Sequence, residues 1–390
     1  MKPDPGNQSI NEIFVVRALA ILAVIMVHST SNPAAQIDGP STSLAGYNFL
    51  NMFFKFGTPT FILLTSFILF YNYYQRPVDR GLVTRFYKRR LLYILIPYLF
   101  FSILYFELNQ AVLRHGPETW SGAFYQFVGD LLTGSAHPHL YFVFISVQFY
   151  MIFPLFLKWM QKSRFTVVNA LWIGLLIQWA FVFYNNMSLQ YQEPASLAIW
   201  YAGYYFTGAF IGIYYHKVSD WLRVTKENFQ TKRLFLWLGV WGFWLFGAGG
   251  HIYIYYLTRA YGMTFDSRIY TMFWNIHTIT TAIILLQLSY WIYKHWPRPI
   301  VNTLIHLGIV SFGIYLLHPL VLHAYRMTAD FNDPTSLVYH AWIAGGFLTA
   351  LGLTWIIVTF VLKYMKGGWI FFGAWPKQNP FISKKDERSN

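Results

Sequence analysis

An arginine and a histidine stand eleven residues apart in an otherwise apolar run, Val16-Arg17-Ala18-Leu19-Ala20-Ile21-Leu22-Ala23-Val24-Ile25-Met26-Val27-His28. Eleven helical steps of about 100° come to roughly 1100°, about 20° past three turns, so the two side chains point the same way. At about 1.5 Å per residue they are separated by roughly 16 Å along the axis. As a neutral imidazole, His28 can take a proton from a hydroxyl near pH 7. Ionisable groups in hydrocarbon are costly and usually face protein, water or a ligand. The plainer alternative for both is snorkelling, Arg17 toward the near membrane surface and His28 at the far one.

Other residues could join this chemistry. Lys55 precedes Gly57-Thr58-Pro59-Thr60, a Gly and Pro combination that could open the backbone toward a cavity, and then Thr65-Ser66. Lys55 could instead snorkel outward, and Thr65 and Ser66 serve more often as glue between helices. Arg85-Phe86-Tyr87-Lys88-Arg89-Arg90 reads as a basic loop leading into the third apolar run, able to clasp phosphates or to anchor lipid headgroups. Pro97 then predicts a kink. His137 and His139 have no acidic or thiol partner at ligand spacing, so no metal site is expected. Tyr150 and Pro154 follow on the fourth run, and Ser311 through His318-Pro319 on the ninth. Carboxylates are scarce near span interiors, Glu12 and Glu107 being the clear ones, which argues against a proton- or sodium-coupled transporter.

The elements that must position these groups are membrane helices. Of 390 residues, 56% are hydrophobic and only 11% charged, well under the roughly 25% of soluble domains. Ten apolar spans are predicted at 12–29, 48–71, 91–109, 139–157, 166–184, 195–215, 234–257, 270–292, 308–325 and 337–362. The segments between them alternate in basic residues. One side carries 23 Lys and Arg and the other 4, with Arg17 and Lys55 inside spans. The positive-inside rule places both termini in the cytoplasm. The fold class is therefore all-α, a polytopic protein of about ten transmembrane helices. The net charge of +14 is topological, with membrane lipids as neighbours, and nucleic acid is not an expected partner. The first span reads as an uncleaved helix rather than a signal peptide. The long outer segment 110–138 has room for a short helix. With no cysteine, disulfides and thiolate sites are excluded. The expected organisation is one transmembrane domain over 1–376 and a polar cytoplasmic tail over 377–390.

Taken in order, these motifs resemble the acyltransferase 3 family of integral membrane O-acyltransferases. Arg17 and His28 match its Arg-x10-His signature on the first helix. Lys55 through Ser66 are similar to its basic-residue-then-Val-Pro-x-Phe-Phe-x-x-Ser-Gly segment, with Phe67 in place of the final Gly. Phe86, Arg90, Ile94, Pro97 and Tyr98 resemble its Phe-x-x-x-Arg…Ile-x-x-Pro-Tyr segment, with Tyr93 where a further basic residue is common. His139-Leu140-Tyr141-Phe142, then Tyr150 and Pro154, follow its His-Leu-Trp-Phe and Tyr-x-x-x-Pro pattern, and Ser311 through Pro319 its Ser-x-x-Ile-Tyr-Leu-x-His-Pro pattern.

The resemblance implies a ten-helix fold and transfer of an acyl group, commonly acetyl or succinyl, to a hydroxyl of a sugar or surface glycopolymer. The donor expected is cytoplasmic acyl-CoA (acetyl-CoA or succinyl-CoA), with no metal. Arg17, Arg85, Arg89 and Arg90 are the candidate donor-binding residues. His28 is the candidate general base or transiently acylated nucleophile, with Arg17 aligned to it. Lys55, Ser66, His139, Tyr150 and His318 are candidates to bind the acceptor, and Lys55, His139 or His318 to stabilise the oxyanion. The expected location is the plasma membrane of a bacterium, with envelope polysaccharide assembly proteins as candidate partners. The alternatives are a flippase or exporter of a glycan or lipid-linked sugar and a non-catalytic scaffold of an envelope complex.

Overall fold

The structure, a computed structural model, describes residues 10–113, 119–225, 232–331 and 333–375. The tail expected at 377–390 lies outside the described residues. In chain order the helices are α1 (Asn11–Gln36), α2 (Thr42–Phe53), α3 (Gly57–Tyr73), α4 (Arg80–Arg90), α5 (Ile96–Leu113), α6 (Trp120–Thr133), α7 (Tyr141–Lys162) and α8 (Arg164–Val168). They continue as α9 (Ala170–Tyr184), α10 (Ala202–Ile213), α11 (Tyr215–Leu222), α12 (Arg233–Tyr261), α13 (Ser267–His295), α14 (Arg298–Arg326), α15 (Leu337–Tyr364) and α16 (Trp369–Phe372). There is no strand among the described residues.

Nine of the ten predicted spans correspond to helices long and apolar enough to cross a membrane. The tenth, expected at 195–215, is built differently. Two 3-10 turns, Pro194–Ser196 and Ala198–Tyr201, lead into α10, which has 12 residues. That is about 18 Å of helix against a hydrocarbon core of about 30 Å. Ala202 through Ala209 are all buried, the pattern of a helix covered by protein on every side.

Two further expectations are corrected. The segment 85–90 is the end of a helix, not a loop. Asp79 caps α4 by accepting from the Leu82 amide at 2.6 Å, and Leu82 and Phe86 bury one face four residues apart. Arg and Lys are good helix formers, so the basic run continues the helix. A π-helical turn at Leu91–Leu95 carries it into α5 just before Pro97, where the ordinary amide ladder cannot continue. Gly57-Thr58-Pro59 does not open the backbone either. Pro59 removes the amide that would bond to the Lys55 carbonyl, and Phe54–Phe56 tightens into a 3-10 turn. Gly57 lets α3 pack onto α1, since a Cβ there would meet the Ala20 carbonyl oxygen at 2.8 Å and Val24 Cγ2 at 2.7 Å. The segment 110–138 does hold a helix, α6, capped by Thr119 and ended by left-handed Gly134.

The chain divides into two units. The first comprises 62–215 and 360–375, the second 10–61 and 216–359. In the second, α1 from Asn11 through Ser31 is buried or half-buried throughout, Arg17 and His28 being among the half-buried positions. Where lipid and protein interiors are equally apolar, close backbone approach rather than burial from water holds helices together. Gly308 shows this: a Cβ there would lie 1.9 Å from the Phe14 carbonyl oxygen, so α14 touches α1 backbone to backbone. The antiparallel pair α12 and α13 is held by a polar ladder. Trp241 Nε1 donates to Gln287 Oε1 at 2.9 Å, Trp244 Nε1 to Thr281 Oγ1 at 2.9 Å, and the Thr258 and Tyr270 hydroxyls meet.

Candidate functional site

The site is built on α1 and α14, which run parallel, since Phe14 meets Gly308, Arg17 meets Ser311 and His28 meets His318 in the same order. The Ser311 hydroxyl has one proton, which it donates to the Gly308 carbonyl at 2.8 Å. Its lone pairs then accept from Arg17 Nε at 3.2 Å and Nη2 at 3.1 Å. Arg17 is half-buried while Ser311 is fully buried.

The His318-Pro319 pair has a local reason. Proline at 319 has no amide to give the Tyr315 carbonyl. His318 Nδ1 lies 2.8 Å from that carbonyl oxygen and 3.2 Å from the Ile314 oxygen. Carbonyls only accept, so the proton sits on Nδ1 and Nε2 presents a lone pair. The ring is fully buried and meets the half-buried His28 ring with centroids 5.0 Å apart at 63°, edge to face.

Proline performs a second such step in α1. Pro33 withdraws the amide that would bond to the Ser29 carbonyl. Arg326 Nη2 reaches that oxygen at 3.4 Å and the His28 carbonyl at 2.7 Å. From another direction Asn51 Nδ2 donates to the Val27 carbonyl at 2.9 Å. Three successive carbonyls around His28 are thus held by side chains of two other helices. A pinned backbone fixes where the imidazole can reach, which is what placement of a general base requires. The opposite face of α1, with Met26, Ser29 and Thr30, borders a mainly apolar cavity of about 550 Å³ closed in part by Tyr47 and His340, whose Oη and Nδ1 are 2.7 Å apart. His28 points about 160° away from Met26 and Thr30, so this cavity is not where its imidazole acts.

The second unit therefore collects Arg17, His28, Lys55 and His318. Lys55 occupies the 3-10 turn and is half-buried. The other candidates belong to the first unit. There Arg90 stacks over Tyr150 with its guanidinium carbon 5.0 Å from the ring centre, and over Phe86 at 5.6 Å. Arg85 and Arg89 are exposed on α4. His139 is buried, its Nδ1 2.8 Å from that of His137, against the Tyr105 ring at 4.9 Å. Ser66 is fully buried and donates to the Tyr205 carbonyl at 2.5 Å, a bond between helices.

Arg326, Asn51 and Arg259 were not singled out from the sequence. Two of them lie just past the ends of predicted spans, because a hydropathy window stops where charge begins, yet α12 and α14 continue through them. For Arg326 the readable signal was Pro33, which leaves the Ser29 carbonyl in need of a donor; Asn51 and Arg259 carry no such mark.

Comparison with known proteins agrees with this architecture. The chain is 25% identical over 360 residues to the "Probable poly-beta-1,6-N-acetyl-D-glucosamine export protein" of Staphylococcus aureus (strain MSSA476), covering 88% of this chain and 90% of that one. It is 23% identical over 355 residues to the protein of the same description from Staphylococcus epidermidis, covering 83% and 84%. No solved structure matches. The family model described as an acyltransferase domain matches residues 10–359, and the chain belongs to that family, acyltransferase 3.

Proposed function

We propose that this membrane acyltransferase is an O-acyltransferase. It moves an acyl group, acetyl or succinyl, from cytoplasmic acyl-CoA to a hydroxyl of a sugar or cell-surface glycopolymer in the plasma membrane. The observation that carries the reading is the pinned His28 imidazole set against a histidine whose tautomer is fixed. His28 removes the acceptor proton, the oxygen attacks the thioester carbonyl, and collapse of the tetrahedral intermediate expels the CoA thiolate, which takes the proton back from His28. The products are the ester and free CoA. Neutral His318 offers a lone pair, not a proton, at Nε2. It orients His28 through the edge-to-face packing of the two rings. Arg17 in the second unit binds donor phosphate, and Arg85, Arg89 and Arg90 in the first are separate candidates for the same chemistry. Lys55 supplies positive charge for the acceptor or the oxyanion.

The names of the staphylococcal relatives favour a second reading, glycan export without acyl transfer. The two separate on one measurement. Full-length protein in liposomes is given acetyl-CoA or succinyl-CoA labelled in the acyl group, together with envelope glycopolymer. The enzyme moves label into alkali-labile ester, and His28→Ala lowers that rate by about 10²–10⁴-fold. Undiminished transfer by a folded His28→Ala protein, or no consumption of either donor by the wild type, refutes the reading.

A further inference from the structure

Lys55 belongs to a second polar constellation in the same unit, whose Arg259, His251 and His277 serve no step above. On α2 and the turn after it, Asn48, Asn51 and Lys55 recur at i, i+3 and i+7, and on α12 His251, Tyr255 and Arg259 recur at i, i+4 and i+8, so each set shares one face. The Lys55 turn packs on α13, which contributes His277. Arg259 Nη1 donates to Asn48 Oδ1 at 3.0 Å and Nη2 to Asn51 Oδ1 at 3.2 Å, while its guanidinium lies 5.6 Å over the Tyr255 ring. The amides are themselves anchored, Asn48 Nδ2 to the Ile252 carbonyl at 3.0 Å and Asn51 Nδ2 to that of Val27.

Charge in this cluster is one-sided. Lys55 and Arg259 interact electrostatically with each other and with His251. Neither has a carboxylate within ion-pair distance among the described residues, where the ion pairs are Arg233–Asp220 and Arg268–Asp266. Two membrane-embedded cations that repel each other are unfavourable without an anion between them. The histidines supply an independent sign of a ligand. Both are almost fully buried, with Nδ1 atoms 3.1 Å apart, so one proton is shared along that line. The far nitrogen of His277, Nε2, is buried and has no partner among the described residues, and it carries a proton in the tautomer where His251 is the donor between the rings.

We propose that Lys55, Arg259 and the His251–His277 pair form a binding site for an oxyanion, carboxylate or phosphate. Lys55 and the remaining N–H groups of Arg259 supply charge-assisted bonds, and His277 Nε2 supplies a neutral one in the tautomer that places its proton there. The Asn51 link to Val27 joins the site to the backbone that holds His28, so the oxyanion belongs to a substrate whose reacting group lies at that imidazole. This assignment to a substrate rests on the acyl-transfer reading; the binding itself does not.

The test is thermal unfolding of the purified full chain in detergent, titrated with sodium phosphate or sodium succinate at constant ionic strength made up with chloride. A saturable rise in Tm beyond chloride is expected. Lys55→Gln weakens the apparent affinity by about tenfold, the cost of one lost charged hydrogen bond. Lys55→Arg and the exposed Lys294→Gln keep it. Absence of any shift beyond chloride in the wild type overturns the site, and this needs no variant to fold. A full shift in Lys55→Gln with an unchanged starting Tm overturns it equally. Repeating the titration with acetyl-CoA or succinyl-CoA present identifies the source. If succinyl-CoA alone abolishes the succinate shift, the oxyanion rides on the acyl group; if neither donor does, the acceptor carries it. None of these readouts uses turnover, so failure of acyl transfer and failure of the anion site are separate results.

Discussion

The imidazoles of His28 and His318 meet edge to face with centroids 5.0 Å apart, and His318 has already committed its Nδ1 proton to the Tyr315 carbonyl. The commitment originates in Pro319, whose ring removes the amide that would otherwise serve that carbonyl. A test of the orienting role follows. Pro319→Ala returns an amide to Tyr315 and frees the His318 tautomer. Helix stability should rise or hold, since a helix-interior proline is removed, while kcat falls and the donor KM stays. His318→Phe keeps the ring and should also lower kcat with little change in KM. Loss of stability and activity together in Pro319→Ala would make the proline merely structural.

Gly308 governs the approach of α14 to α1 three residues before Ser311. Gly308→Ala places a methyl group 1.9 Å from the Phe14 carbonyl oxygen, a backbone atom that cannot swing aside. The helices must separate, at about 1–3 kcal/mol for overpacking. The Arg17 bonds to Ser311 lengthen with them. Thermal unfolding and acyl transfer should both decline, and Ser311→Ala, which removes the acceptor without moving the helices, should lose activity with the smaller loss of stability. Equal stability of Gly308→Ala and wild type would mean that the two helices do not touch here.

Much of this arrangement was legible in the sequence because it rests on period and on chain order. The eleven-residue interval set Arg17 and His28 on one flank, and the odd numbers of their spans made α1 and α14 parallel. What stayed hidden depends on partners that composition does not display. Ser66 bonds to the Tyr205 carbonyl, a backbone atom without a sequence signature. Asn48, Asn51 and Lys55 share a face, yet that face has meaning only once α12 brings Arg259 to it. The 3-10 turns that lead into the short α10 leave no mark on hydropathy, which registers apolar content and not backbone geometry.

At the start of α13, Asp266 accepts from the Arg268 backbone amide and side chain. These bonds hold its carboxyl down to about 2. A carboxyl depressed below its unfolded value stabilises the fold above about pH 4, and the contribution disappears as pH falls toward 2. Asp266→Asn should therefore lower Tm slightly at pH 7, a small effect for an exposed pair. The difference from wild type should shrink steadily below pH 4. A difference that stays constant down to pH 3 would assign the effect to the helix cap alone.

Arg326 and Pro33 are coupled through the Ser29 carbonyl, which the proline deprives and the arginine supplies. Arg326→Met leaves the Ser29 oxygen without either donor and removes the 2.7 Å bond to the His28 carbonyl. The expected loss is about 1–3 kcal/mol for an unmet buried acceptor, together with reduced transfer as the backbone beneath His28 loosens. Pro33→Ala restores an amide to Ser29 but nothing to His28. The double variant should thus regain part of the stability lost by Arg326→Met, with an interaction energy of about 0.5–3 kcal/mol, while kcat recovers less than Tm does. That split follows because the bond still missing is the one on the carbonyl of the base itself. Strict additivity of the two substitutions in denaturation would show that the arginine holds α1 through some other contact, and full recovery of kcat would show that the Ser29 carbonyl alone fixes the imidazole.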